Sequence, residues 1–155
     1  MSDTPNTTPE AAKAMPAMPF QINTQYVKDL SFENPHPLKF FSSEPLVPEI
    51  SVNIAVNAEP VGENVFEVCL SITVDAKIEN DTAFLTELVY GGIFSFEAGL
   101  VQEEIKPLLL IECPRFLFPF ARHIISDTTS RGGFPPVSLS PIDFAALYRQ
   151  QQTTA

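Results

Sequence analysis

The chain contains 155 residues, of which 45% are apolar and 18% are charged, and its 19 acidic and 9 basic side chains give a formal net charge of -10. This composition predicts one globular domain, since a chain of this length buries roughly 68 to 70% of the surface that its unfolded state exposes. The negative charge argues against nucleic acids and anionic lipid surfaces as partners and favours a cationic partner.

Residues 1–18 are rich in Thr, Pro and Ala without a lasting periodicity, which predicts a disordered N-terminal tail. They lack the basic start, apolar stretch and cleavage site of a signal peptide, and no run of the chain approaches the ~20 apolar residues that a membrane-spanning helix needs. A cytoplasmic protein without membrane insertion is therefore expected.

A first strand is predicted at Phe20–Glu33, where polar and apolar residues alternate. The pattern places five residues on its buried side: Phe20, Ile22, Tyr26, Leu30 and Phe32. Residues 34–48 follow with four prolines, which predict a crossing loop rather than a hairpin. Its apolar residues, Phe40 and Phe41 among them, are unusual for a loop.

Three further strands are predicted from the alternation of apolar residues at 49–57 and 64–78 and from the apolar run at 82–96. Short connections at 59–64 and 79–81 make these strands an antiparallel meander. The last run has apolar residues on both faces, with Leu85 beside Glu87, and its Gly91-Gly92 pair predicts a bulge or bend.

Helical patterns begin at Val101, and Pro119 is predicted to be the first residue of a helix that ends at Gly132-Gly133. The inward stripe of this helix is predicted to contain Phe120, Ala121, Ile124, Ile125 and Thr128.

A last helix is predicted to start at Ser140 as its cap, with Pro141 in its first turn and Asp143 near its positive end. Its apolar face holds Phe144, Leu147 and Tyr148. Residues 150–155 are predicted to form a short polar C-terminal tail.

The residues that carry chemistry in other proteins are sparse. His36 and His123 have no partner at metal-ligand spacing, and Cys69 and Cys113 are too few and too distant to frame a zinc site or a disulfide scaffold. We therefore predict no catalytic residue, metal or cofactor and no enzyme. A small cytosolic enzyme that uses Cys69 or Cys113 as its nucleophile is the alternative from another class.

Two surface features remain. Asp29 and Glu33 are four residues apart on a strand and so share a side, and Leu85 and Glu87 share a side of theirs. Such carboxylates attract a basic partner or merely solvate the sheet, and the spacing alone favours neither. Around residues 108–111 and 116–120 apolar side chains point in every direction, so sister subunits or a bound client are expected to cover part of them.

Four segments resemble the SecB family of bacterial protein-export chaperones in order, spacing and sequence. They are residues 26–35 (YVKDLSFENP), residues 90–94 (YGGIF), Cys113-Pro114 with residues 117–122 (LFPFAR), and residues 130–136 (SRGGFPP). The resemblance spans about residues 20–147. It implies an α+β fold for residues 19–149, in which a four-stranded antiparallel sheet carries helices on one face. It also implies assembly into a homotetramer, a dimer of dimers.

The resemblance further implies an ATP-independent holdase that keeps secretory preproteins unfolded in the cytoplasm and passes them to the SecA ATPase for export through the Sec translocon. The family's SecA-binding positions fall on Asp29, Glu33, Leu85 and Glu87, and the zinc ion of that contact belongs to SecA. The family's client groove falls near Phe40 and Phe41. A SecB-like chaperone dedicated to one client, such as an antitoxin, is the alternative.

Overall fold

The computed structural model describes residues 15–41, 44 and 46–153, so residues 1–14 of the predicted N-terminal tail lie outside the described residues. Four strands are followed by a helical layer. The strands are β1 (Phe20–Glu33), β2 (Glu49–Gly62), β3 (Val65–Ile78) and β4 (Asp81–Phe96), and the helices are α1 (Gln102–Pro107), a π-helical segment (Leu108–Glu112), α2 (Cys113–Arg131) and α3 (Phe144–Thr153).

The four strands form one antiparallel sheet in the order β1-β4-β3-β2. The predicted meander of β2, β3 and β4 is confirmed, and its second turn places Glu79 and Asn80 at φ 51° and 70°, the left-handed pair of a tight hairpin. Because β1 and β2 lie at opposite edges of the sheet, the segment between them must cross the sheet. This confirms the predicted crossing loop.

Two predictions about the strands are wrong. β2 continues past Asn57 to Gly62, so the predicted connection at 59–64 shrinks to a turn at Glu63 and Asn64. The predicted bulge at Gly91-Gly92 is absent from β4, whose two glycines pair in register with Cys69 and Val68 of β3.

The glycines of β4 instead make room for side chains. A Cβ atom on Gly91 would lie 3.0 Å from the Tyr26 ring, and one on Gly92 would lie 3.0 Å from Leu117 of α2. The bulges fall on the partner strand β1, at Asn23 and Lys28. Close approach by side chains, rather than an irregular backbone, therefore explains the glycine pair.

The hydrophobic core lies on one face of the sheet, here called the inner face, and the opposite face is the outer face. The inner side chains of β3 and β4 are buried beneath α2 and Phe144, and they include Val68, Leu70, Ile72, Val74, Phe84, Leu88 and Phe94. Thr86, buried among them, donates its hydroxyl to the carbonyl of Ser31 at 2.9 Å. The predicted α+β fold with a four-stranded antiparallel sheet and helices is confirmed.

The start of α2 differs from its prediction, because the helix begins at Cys113 and Pro119 lies inside it. Pro114 occupies the first turn, where a proline fits a helix start, whereas Pro119 removes one N–H from the interior of the helix. The end was predicted correctly. Gly132 donates its N–H to the carbonyl of Thr128 at 3.0 Å, and Gly133 adopts φ 90°.

Because α2 begins at Cys113 rather than at Pro119, its buried stripe also begins there. The stripe contains Cys113, Leu117, Ala121, Ile125 and Thr129. Ala121 and Ile125 were predicted correctly, and Ile124 and Thr128 are half-buried. Phe120 was wrongly assigned to this stripe: its side chain is 51% exposed and stacks against Tyr90, with ring centroids 6.2 Å apart.

The last helix also starts later than predicted. Residues 140–142 lie outside α3, and Asp143, not Ser140, caps it by accepting the N–H of Ala146 at 3.0 Å on Oδ1. The helix runs through Thr153, so the described part of the predicted polar tail, residues 150–153, is exposed but helical. Residues 154 and 155 lie outside the described residues.

Candidate functional site

The four residues predicted to bind SecA lie together on the outer face of the sheet and are called the acidic face: Asp29, Glu33, Leu85 and Glu87. Glu33 pairs with Leu85, and Glu87 pairs with Ser31, the residue midway between Asp29 and Glu33. Directly paired residues on one face of a sheet have Cβ atoms about 4.5 to 5.5 Å apart, and diagonal pairs about 7 to 8 Å. Glu87 is therefore a diagonal neighbour of both carboxylates of β1.

A bulge in β1 sets the direction of these carboxylates. Val27 pairs with Tyr90 and Asp29 with Val89, so Lys28 is an extra residue between two register positions. The bulge shifts the alternation of β1, so Leu30 and Phe32 turn inward. Tyr26, wrongly predicted to share that inner side, pairs with Gly91 and reaches Glu67 across the outer face.

The charge of the acidic face is not balanced by basic neighbours. Asp29, Glu33 and Glu87 are exposed, and no ion pair among the described residues joins any of them to a Lys or Arg side chain. The next residue in the row of Glu33 and Leu85 is Asp75, whose Oδ1 is buried and accepts no hydrogen bond within the described structure. The three exposed carboxylates therefore keep their charge unpaired within the described residues, and Leu85 is half-buried beside them.

An apolar groove of about 760 Å³ opens on the inner side of the sheet and is called the β2 groove. Its walls are the first inner residues of β2, the end of the crossing loop and the α2–α3 connection, and they include Ile50, Val52, Ile54, Val47, Phe134 and Pro141. Ile50 is 43% exposed and Val52 is 42% exposed. The helical layer covers β3 and β4 but stops short of this part of β2, so inward-facing residues stay uncovered.

The loop phenylalanines line a depression of about 450 Å³ beside this groove, and the two share Leu46, Phe134 and Pro135. Phe40 packs against the core, whereas Phe41 is 88% exposed. Lys39 fixes the loop to the sheet through an ion pair with Asp81 and lies 5.8 Å from the centre of the Phe40 ring.

The sequence analysis missed Ile50 and Val52 as groove residues. The only signal for them was the strict alternation of β2, which also fits a strand whose inner face is fully covered. The position of β2 at a sheet edge, beyond the reach of the helices, decides between the two.

The cysteines and histidines form no reactive cluster in the described part of the chain. Cys69 and Cys113 are both buried free thiols, and desolvation raises the pKa of each above its ordinary value. A raised pKa disfavours the thiolate that a nucleophile needs. Residues 15–41, 44 and 46–153 contain no group of His, Cys, Asp and Glu side chains placed to hold a metal, and no helix among them is long and apolar enough to cross a bilayer.

Comparison with solved structures supports the fold. A SecB-like chaperone of Mycobacterium tuberculosis, solved in complex with a ChAD peptide from the HigA1 antitoxin, superposes with a TM-score of 0.59 at 19% sequence identity. The match covers 79% of this chain and 90% of that chain.

Comparison with known sequences identifies the family. The family model described as preprotein translocase subunit SecB matches residues 12–155. The protein-export protein SecB of Bartonella quintana is 51% identical over 132 residues, which cover 85% of this chain and 83% of that protein. The protein-export protein SecB of Caulobacter vibrioides is 44% identical and covers 100% of this chain and 95% of its own length. The chain therefore belongs to the SecB family of protein-export chaperones.

Proposed function

We propose that this protein is an ATP-independent holdase that binds unfolded secretory preproteins in the bacterial cytoplasm and delivers them to SecA. The observation that carries the proposal is the division of the sheet: an uncovered apolar groove lies on its inner side and an unbalanced acidic face on its outer side.

The β2 groove is suited to an unfolded client. Its apolar walls contact side chains without requiring one sequence, and repetition of the groove on several subunits would sum many weak contacts into a useful affinity. The exposed Phe41 extends the apolar surface into the neighbouring depression. Client folding would be delayed because the segments that form its core are occupied.

The acidic face is suited to a cationic partner. Asp29, Glu33 and Glu87 supply charge, while Leu85 gives the same surface an apolar contact at the level of Glu33. Both kinds of contact support docking of a basic segment of SecA.

A homotetramer, arranged as a dimer of dimers, is part of the proposal. The inner side of β1 leaves Ile22, Val27 and Leu30 between 37% and 47% exposed. Phe116 and Phe120 extend this patch, since their rings contact Phe20 of β1 and Tyr90 of β4. Exposed apolar surface of this extent favours burial by sister chains.

Native mass measurement tests the proposal. The protein is measured alone, with a reduced unfolded precursor, and then with SecA and the precursor together, all without ATP. We expect a tetramer, a tetramer with bound precursor and a ternary complex. A persistent monomer that binds neither partner would overturn the proposal.

A chaperone dedicated to one client is the second candidate, because the fold matches a SecB-like chaperone that was solved with an antitoxin peptide. A panel of unrelated unfolded proteins separates the two. The export holdase binds most of the panel with similar affinity, and a dedicated chaperone binds one member.

A further inference from the structure

Two side chains of β1 meet one carboxylate of β3 on the outer face. The Tyr26 hydroxyl donates to Oε2 of Glu67, and Lys28 Nζ donates to Oε1 at 2.7 Å. The strands β1 and β3 are not neighbours, because β4 lies between them. The Tyr26 contact is possible because its partner on β4 is Gly91, whose missing side chain lets the Tyr26 ring lie across that strand toward Glu67.

Lys28 is also the bulged residue of β1. If Lys28 took a regular place in the ladder instead of bulging, the alternation that places Tyr26 on the outer face would turn Asp29 and Glu33 inward and Leu30 outward. The bulge is thus a condition for the acidic face. A bulged residue has no partner in the ladder of the sheet, so side-chain contacts made by Lys28 itself and by Tyr26, two residues before it, are an effective way to hold its register.

The same contacts control a charge beside the acidic face. The hydrogen bond from Lys28, followed by that from Tyr26, lowers the pKa of Glu67, and the hydrogen bond to Glu67 raises the pKa of Lys28. At neutral pH both groups are therefore charged and paired. The Lys28 ammonium group is thereby held toward β3, away from its sequence neighbour Asp29.

We propose that Glu67 is a positioning residue for the acidic face: it holds Tyr26 and Lys28, fixes the bulge that turns Asp29 outward, and keeps the Lys28 cation from neutralising the docking carboxylates. The role in docking rests on the proposed binding of SecA, whereas the role in holding the bulge does not depend on it.

Glu67→Gln tests this inference, with Glu59→Gln as the matched control. Glu59 lies opposite Glu67 on β2 and is exposed, so its substitution removes the same charge from the same region without breaking either contact. We expect Glu67→Gln to weaken SecA binding about tenfold and to speed hydrogen exchange of the backbone amides at residues 27–30. Glu59→Gln should change each by less than about twofold, and client affinity should be unchanged in both variants.

A double variant separates the two parts of the role. Lys28→Met in the Glu67→Gln background removes the freed cation, so SecA affinity should recover in part while exchange at residues 27–30 remains fast. Full recovery would show that the cation alone matters and would overturn the positioning role.

The inference and the docking proposal fail in different ways. If Glu87→Lys abolishes SecA binding while Glu67→Gln changes neither binding nor amide exchange, the inference is wrong and docking stands. If Glu87→Lys leaves SecA binding intact, the docking proposal fails. In that case, amide exchange at residues 27–30 that stays slow in Glu67→Gln would also show that Glu67 does not hold the bulge.

Discussion

Glu33 of β1 and Leu85 of β4 are paired across the sheet and share its outer face, which places a carboxylate directly beside an apolar side chain. Neither residue alone defines a binding surface. Together with Glu87, diagonal to Glu33, they form a surface that a partner would contact through both charge and apolar area.

Glu87→Lys should weaken SecA binding at least tenfold, because it reverses a charge at the centre of the acidic face. The mass of the oligomer and the client affinity should stay unchanged, since the β2 groove lies on the other side of the sheet. Isothermal titration with SecA and native mass measurement check the two parts. Glu63→Lys, in the exposed β2–β3 turn, is the matched charge control, and loss of the tetramer in Glu87→Lys alone would contradict the assignment.

Phe40→Ala with Phe41→Ala should reduce client affinity about threefold to tenfold without affecting SecA binding, because apolar area is lost beside the β2 groove. Fluorescence titration with a reduced unfolded precursor measures the effect. The single Phe41→Ala variant controls for folding, since Phe41 is exposed whereas Phe40 packs against the core.

Ile50 and Val52 provide a comparison within the groove itself. Ile50→Thr with Val52→Thr should weaken client binding at least as much as the double phenylalanine variant, because these side chains form the wall of the larger cavity. Unchanged affinity in both double variants would place the client elsewhere.

Cys69→Ala with Cys113→Ala should leave client binding within about twofold of the wild type, because neither buried thiol lines the β2 groove. The cost in stability should be about 1 kcal/mol for Cys113, which is fully buried. Native thiols should react slowly with Ellman's reagent and quickly after unfolding. Loss of function with the fold intact would instead revive a role for a reactive cysteine.

The stability that Glu67 contributes should depend on pH in a defined direction. The pKa of Glu67 is lowered in the folded state, so its contribution is present above the ordinary value of 4.5 and is lost as the pH falls below it. The pKa of Lys28 is raised, so its contribution is present below 10.5 and is lost at higher pH. Urea unfolding of wild type and Glu67→Gln should therefore differ by a constant amount between about pH 5 and 10, and the difference should shrink on either side.

The sequence predicted which strands and helices form better than it predicted which face each residue lies on and where each helix begins. β1 has the predicted bounds and the crossing loop is where its prolines indicated, because alternation and proline act locally. Tyr26 was assigned to the wrong face because the bulges at Asn23 and Lys28 each insert one residue and so shift the alternation of β1. The pattern of polar and apolar residues does not indicate these bulges. Pro114 and Pro119 both fit the first turn of a helix, and the structure places the start at Cys113, so that Pro119 falls within α2.

The candidate sites, too, were predicted only in part. The spacing of Asp29 and Glu33 predicted that they share a face. The structure confirms this, because the bulge at Lys28 precedes both residues and does not interrupt the alternation between them. Ile50 and Val52 were missed because the pattern of a strand indicates which residues share a face, but not whether another layer covers that face. That information lies in the strand order and in the extent of the helices.

Phe84 and Leu85 are consecutive residues of β4, yet Phe84 lines the β2 groove and Leu85 belongs to the acidic face. One strand thus separates the proposed client groove from the proposed SecA-docking surface. If both proposals hold, a client in the groove would leave the outer face open, so it need not be released into bulk water before SecA binds its carrier.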